Sequence, residues 1–370
     1  MSLWASSAVG LKRHLKSWRG LLRALRLVTG ILTALFGVAG PARADTTSVA
    51  TLTLSLSQPC QGEAWTDKNN IAQRLVVKAW YPSRRATQQG GDSQPSPVLF
   101  FNAGWGGSSD SHQDRFHELV AQGFVVISVD HRLDLNEYDI FLDFSSEEAF
   151  KRTKIIVDRK AHQFALDNVA VFDALEAAAR CATSSEMAAL ARQLDFNRAG
   201  IFGYSFGGAV AAQTAWQDSR FKAAANLDGW LFAEASVQGI SQPFMAMSDD
   251  TPVPTAQDLV SGDMVQRLTA QLNLTDYNRL RANMMVRGGY YLVLTGSNHQ
   301  SFIDVSQRSI KQQFISLLPG SRRFPEIINA YVVAFFNRYL RDGPADLIDR
   351  MPSPYEEVRL EFAKPPVATR

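Results

Sequence analysis

The chain has 370 residues, 46% hydrophobic and 20% charged, with 38 basic and 36 acidic side chains and a formal net charge of +2. Seven of the basic residues and none of the acidic ones fall in residues 1–44, so the rest of the chain carries a net charge of −5 and has no basic stripe of the kind that binds nucleic acid. Its length suits one α/β domain with insertions, and no internal repeat or low-complexity tract argues otherwise.

In chain order, the opening segment comes first. Lys12, Arg13, Lys16, Arg19, Arg23 and Arg26 precede the apolar run LVTGILTALFGVAG and then PARAD. A basic region, a short apolar stretch and small residues spaced as Ala42-x-Ala44 predict an export signal, cut after Ala44. The run is shorter than the roughly 18 residues of a membrane span, and a retained anchor is the alternative. We expect residues 45–370 to form a single exported domain, periplasmic or secreted. Export makes a disulfide open to Cys60 and Cys181.

TLTLSLS and RLVVKAWYP alternate as an antiparallel strand pair, whereas PVLFFNAG and FVVISVDH are continuous apolar runs that predict buried strands. Between the latter two, SHQDRFHELVAQG predicts a helix ending at Gly123. AHQFALDNVAVFDALEAAAR has helical spacing, AGIFGY is a strand, and GAVAAQTAWQ is an alanine-rich helix. FKAAANLDG, PFMAMSDD and YYLVLTGSN predict further strands, and FPEIINAYVVAFFNRYL a late helix. Alternating strands and helices over this length imply a mostly parallel central sheet with helices on both faces. Segments near 132–158 and 231–285 fit this rhythm least and are expected to be cap-like insertions.

The chemistry centres on AGIFGYSFGG, in which Gly203, Ser205 and Gly207 make G-x-S-x-G between a strand and a helix. That context predicts the strand-turn-helix elbow of the α/β-hydrolase fold, with Ser205 as nucleophile. A serine hydroxyl needs a base within hydrogen-bond reach, a group to orient that base, and N–H donors for the oxyanion. Of the six histidines only His299 follows Ser205, and the order on this fold is serine, acid, histidine. The acid is less determined. Asp228 ends one strand, Asp249 and Asp250 the next, and many hydrolases of this fold use the later position. The N–H groups of Phe206 and of Trp105, in NAGWGGSSD, are the candidate oxyanion donors. GWGG lacks the spacing of a dinucleotide fingerprint, and the other histidines lack metal-ligand spacing, so neither cofactor nor metal is expected.

VLFFNAGWGGSSD, GFVVISVDHR, GYSFGG, NLDGW and NHQSFID together resemble the plasma-type and bacterial platelet-activating-factor acetylhydrolases. The resemblance implies Ser205 as nucleophile, Asp228 of the Leu-Asp-x-Trp segment as acid, and His299, which opens a His-Gln-x-Phe-x-Asp segment, as base. That family has His-Gly-Leu-Gly at the oxyanion loop, where this chain has Ala103-Gly104-Trp105-Gly106. The backbone donor of Trp105 survives the change, and the larger ring is expected to narrow the acyl side. The implied function is a serine ester hydrolase acting on phospholipids with short acyl chains, with transient contact to a lipid surface. A carboxylesterase, or a hydrolase of polyester or dienelactone type acting on soluble or exogenous esters, is the enzymatic alternative. A non-catalytic binding protein on the same scaffold is the alternative of another class.

Overall fold

A computed structural model describes residues 48–56, 74–83, 94–132, 141–182, 185–307 and 323–364. The export signal and Cys60 lie outside the described residues; Cys181 is disulfide-bonded.

Among the described residues nine strands form one sheet. β1 (Val49–Leu54) and β2 (Leu75–Pro82) pair antiparallel, as their alternation predicts. β2 runs antiparallel to β4 (Val125–His131), which lies parallel to β3 (Ser96–Asn102). β5 (Leu194–Tyr204), β6 (Phe221–Leu227), β7 (Phe244–Ser248) and β8 (Gly289–Leu294) continue the parallel run, and β9 (Val358–Lys364) closes it antiparallel. The order is β1-β2-β4-β3-β5-β6-β7-β8-β9. This is an α/β-hydrolase fold, with a mostly parallel sheet.

The parallel strands read as continuous apolar runs because both their faces are covered. On β3, Val98 and Phe100 enter one core while Leu99 and Phe101 enter the other, as the two-residue period of a strand requires. The first core is covered by α2 (Glu147–Arg180), α3 (Glu186–Ala191) and α4 (Phe206–Gln217), with α5 (Ala233–Gln238) and α6 (Met264–Arg287) adding buried residues. The second is covered by α1 (Gln113–Ala121) and α7 (Phe324–Arg341). Ten successive residues of α4, from Phe206 to Ala215, are buried. Their small side chains let this helix lie close between the sheet and α2.

One segment differs from expectation. Helical spacing predicts a helix from Ala161, yet α2 begins at Glu147, where Ser146 caps it by accepting the N–H of Ala149. Residues 147–158 thus extend a scaffold helix instead of standing apart as an insertion. Within 231–285, α6 is a 24-residue helix, capped by Asp263.

Candidate active site

The site lies at the carboxyl ends of β5, β6 and β8. Ser205 follows β5 with φ 55 and ψ −126, a conformation sparsely populated for any residue with a Cβ. The turn is held by backbone: Ser205 N–H donates to Leu227 O at 2.9 Å, and Gly208 N–H to Ser205 O at 2.9 Å. The flanking glycines are steric requirements. A Cβ on Gly203 would overlap the carbonyl of Gly207, and one on Gly207 the carbonyls of Asn102 and Ala103. Gly203→Ala is therefore expected to destabilise the fold by more than about 4 kcal/mol, measured by urea unfolding.

His299 opens a short 3-10 turn after β8, capped by Asn298, whose side chain accepts the N–H of Gln300 at 2.9 Å. Its Nε2 lies 3.1 Å from Ser205 Oγ, and its Nδ1 lies 2.6 Å from Asp228 Oδ2. Three groups set this ring. The Tyr204 ring stacks on it at 4.7 Å and the Tyr204 hydroxyl donates to His299 O at 3.1 Å. Arg115 donates to Phe302 O, at the far end of the turn. Asp304, just beyond, accepts the N–H of Asp114, and burial raises its pKa to about 6.

Of the three candidate aspartates, the one placed beside His299 is Asp228. Asp228 has φ 61, and its N–H donates to Met247 O at 2.8 Å, which turns the carboxylate out of the sheet. Asn226 closes the loop behind it, accepting the N–H of Gly229 and donating to Gly229 O. Asp249 reaches Asp228 through its backbone, donating N–H to Asp228 Oδ1 at 2.8 Å. Its own carboxylate accepts the N–H of Thr251, and that of Asp250 the N–H of Gly296. Burial raises the pKa of Asp228 and the charge of Asp249 adds to this, while the hydrogen bonds from His299 and from Asp249 N–H oppose it.

The loop after β3 passes beside Ser205, where a Cβ on Gly104 would stand 3.2 Å from Ser205 Cβ and 3.6 Å from Ser205 Oγ. Trp105 packs on Phe206 and Phe141 at ring separations of 5.0 and 5.2 Å. Asp130, at the end of β4, anchors the loop by accepting from Ser109 N–H at 2.9 Å, Ser109 Oγ at 2.7 Å and Ser108 Oγ at 3.2 Å. Phe206 opens α4, so its N–H belongs to a first turn that has no intrahelical acceptor, at the positive end of the helix dipole. Sequence reasoning singled out neither Tyr204, Asn226 nor Asp130. The first is the variable residue inside G-x-S-x-G, and the other two read as ordinary strand ends.

A cavity of about 410 Å³ opens from Ser205, lined by aromatic residues and by part of α6. That helix is clasped to the segment between β6 and β7: Trp230 Nε1 donates to Asn273 at 2.6 Å, Leu231 N–H to Asp276 at 2.8 Å, and Ile240 N–H to Asn283 at 3.2 Å. Burial raises the pKa of Asp276 to about 7, against opposing pulls from the Leu231 N–H, Arg279 and Lys154. A raised folded-state pKa means that the native chain holds a proton which the unfolded chain loses near pH 4, so stability falls as pH rises from about 4 to about 7. Asp276→Asn removes that slope. Its melting temperature is expected to gain on wild type across this interval and to hold a constant lead above it. Among the described residues no group of three or more His, Cys, Asp or Glu is placed to hold a metal ion.

Two comparisons with known proteins bear on the fold and the family. A ferulic acid esterase from Streptomyces cinnamoneus superposes with a TM-score of 0.57 at 22% identity, over 88% of this chain and 98% of the esterase, a likeness of fold. The family model described as platelet-activating factor acetylhydrolase, isoform II, matches residues 54–315, from the end of β1 through the His299 turn. The chain belongs to that family and is an ester hydrolase.

Proposed function

We propose that Ser205, His299 and Asp228 are a catalytic triad, with the N–H groups of Trp105 and Phe206 as the oxyanion hole. The observation that carries this reading is the unbroken hydrogen-bonded path Ser205–His299–Asp228, with the serine on a strained elbow at a helix N-terminus. His299 Nε2 takes the hydroxyl proton as Ser205 Oγ attacks the ester carbonyl. The carbonyl oxygen becomes an oxyanion between the two N–H donors, and Asp228 stabilises the imidazolium. The tetrahedral intermediate collapses, the C–O bond to the alcohol breaks, and His299 returns the proton to the departing alkoxide. Water then repeats the sequence on the acyl-enzyme and releases the acid.

Family membership supports a phospholipid with a short acyl chain as substrate, and Val253, exposed on the cavity wall, supports passing contact with a lipid surface. One observation favours the second reading, a small soluble ester: among the described residues no lysine or arginine lines the cavity to meet a phosphate. Turnover of nitrophenyl esters and of acylglycerophosphocholines, each from acetyl to dodecanoyl, separates them. Preference for short-chain glycerophosphocholine supports the first reading, and preference for the soluble esters supports the second. Export belongs to the same proposal, and the N-terminus of the exported protein is expected at Asp45, read by terminal sequencing.

A further inference from the structure

Strand β3 ends at Asn102, and the loop that contains Trp105 leaves the sheet there. The two-residue period of the strand puts the Asn102 side chain on the face of Val98 and Phe100, beneath α2 and α4. Three fully buried polar side chains meet at that point: Asn102, Asn168 of α2 and Thr214 of α4. Asn168 Nδ2 donates to Asn102 Oδ1 at 3.1 Å, and Asn102 Nδ2 donates in return to Asn168 Oδ1 at 3.3 Å. The same Asn168 Nδ2 donates to Thr214 Oγ1 at 3.1 Å, and Thr214 donates to Val210 O at 2.7 Å.

This knot joins the two segments that supply the oxyanion donors: α4 opens with Phe206, and the loop after Asn102 contains Trp105. Both ends of the arrangement are braced. Asp167, the neighbour of Asn168, accepts from Arg74 Nη1 at 3.1 Å and Nη2 at 2.8 Å, which ties α2 to the start of β2. Asp130 holds the far end of the loop through Ser109. Between them, Gly107 N–H donates to Gly104 O at 2.9 Å and turns the chain tightly around Trp105. Loop and helix meet closely, since a Cβ on Gly207 would stand 2.0 Å from Asn102 O. A buried amide pair adds little net stability over apolar side chains of the same shape, but it fixes one orientation where they would not.

We propose that Asn168 is a positioning residue for the oxyanion hole. By holding Asn102 and Thr214 together it sets the separation between the N–H groups of Trp105 and Phe206. Its own amide is buried against those two side chains and acts through them. The demand on spacing is steep, because donors to a developing oxyanion work only when already aimed at it, and loss of one donor costs roughly 10²–10³-fold in kcat. The proposal rests on the reading of the Trp105 and Phe206 N–H groups as the oxyanion hole, and adds what fixes their distance.

The test compares nitrophenyl acetate with nitrophenyl thionoacetate, in which sulfur replaces the carbonyl oxygen, on the full chain and on Asn168→Ala and Thr214→Val. Sulfur is larger and a weaker acceptor, so it profits little from donors set for oxygen. Both esters use Ser205, His299 and the same leaving group, so an unfolded fraction or a displaced triad slows both alike. The ratio of their kcat/KM values therefore reports the hole. Wild type is expected to favour the oxoester by about a hundredfold or more, and the ratio should fall about tenfold in Asn168→Ala and about threefold in Thr214→Val. A merely structural role lowers both esters together and leaves the ratio at its wild-type value, which overturns the proposal. Thr214→Val nearly keeps the side-chain shape, and a wild-type ratio there overturns it even where Asn168→Ala fails to fold. The failures are distinguishable: turnover lost in Ser205→Ala with an unmoved ratio in the variants leaves the triad standing while the tie falls. A wild type without preference for the oxoester takes the oxyanion hole and the tie with it.

Discussion

Replacing Ser205 with alanine is expected to lower kcat by about a millionfold, with little change in the unfolding midpoint. The two halves of this expectation come from different atoms. Among the described residues, the hydrogen bond of Ser205 Oγ is to His299 Nε2, and alanine removes the attacking oxygen. The elbow itself is held by Ser205 N–H to Leu227 and by Gly208 N–H to Ser205 O, backbone bonds that alanine keeps. Activity against nitrophenyl acetate and a urea titration on the same preparation check both halves. A variant that loses activity by unfolding would show a shifted midpoint.

Asp228→Asn is expected to cost about 10⁴-fold in kcat. Asparagine matches the shape but can turn an NH₂ toward His299 Nδ1, which then must accept, leaving Nε2 protonated and unable to take the serine proton. Asp249→Asn is expected to cost far less. Asp249 serves the site through its backbone N–H to Asp228 Oδ1, and asparagine has the same N–H. The contrast is informative because the two residues end adjacent parallel strands and hydrogen bond to each other. Measuring both variants on one substrate reads which carboxylate the histidine uses. Equal losses would mean that their charges act jointly.

Much of the scaffold was legible because burial writes itself into composition. Val98 to Phe101 and Val125 to Ile127 are apolar without interruption, since each strand faces two cores. The elbow was legible for a steric reason: only glycine fits where Gly203 and Gly207 meet neighbouring carbonyls. The partner of His299 was not legible from topology. Three aspartates end β6 and β7, and what selects Asp228 is its left-handed φ together with the N–H donated by Asp249, neither of which a residue name encodes. The resemblance to a known family supplied that choice.

Helix α6 escaped detection for another reason. Its buried residues are few, Leu268, Ala270, Leu272, Leu280 and Met284, while Val265, Met285 and Val286 are exposed, so no clean apolar stripe forms. It is held instead by polar clasps from Asn273, Asp276 and Asn283 to the segment between β6 and β7. Such contacts depend on the fold being in place and leave no periodic trace in the sequence. The cavity wall, and with it the identity of the ester, was hidden for the same reason.

The most direct test of the triad is labelling with a fluorophosphonate followed by peptide mapping. The proposed chemistry has Ser205 Oγ attack phosphorus with loss of fluoride, giving a stable adduct that stops at the first step. One adduct per chain is expected, within the peptide spanning 199–217, rising in step with loss of esterase activity and absent from His299→Ala. Complete inactivation with the adduct on another residue, or full activity with Ser205 labelled, would contradict the assignment of Ser205 as nucleophile.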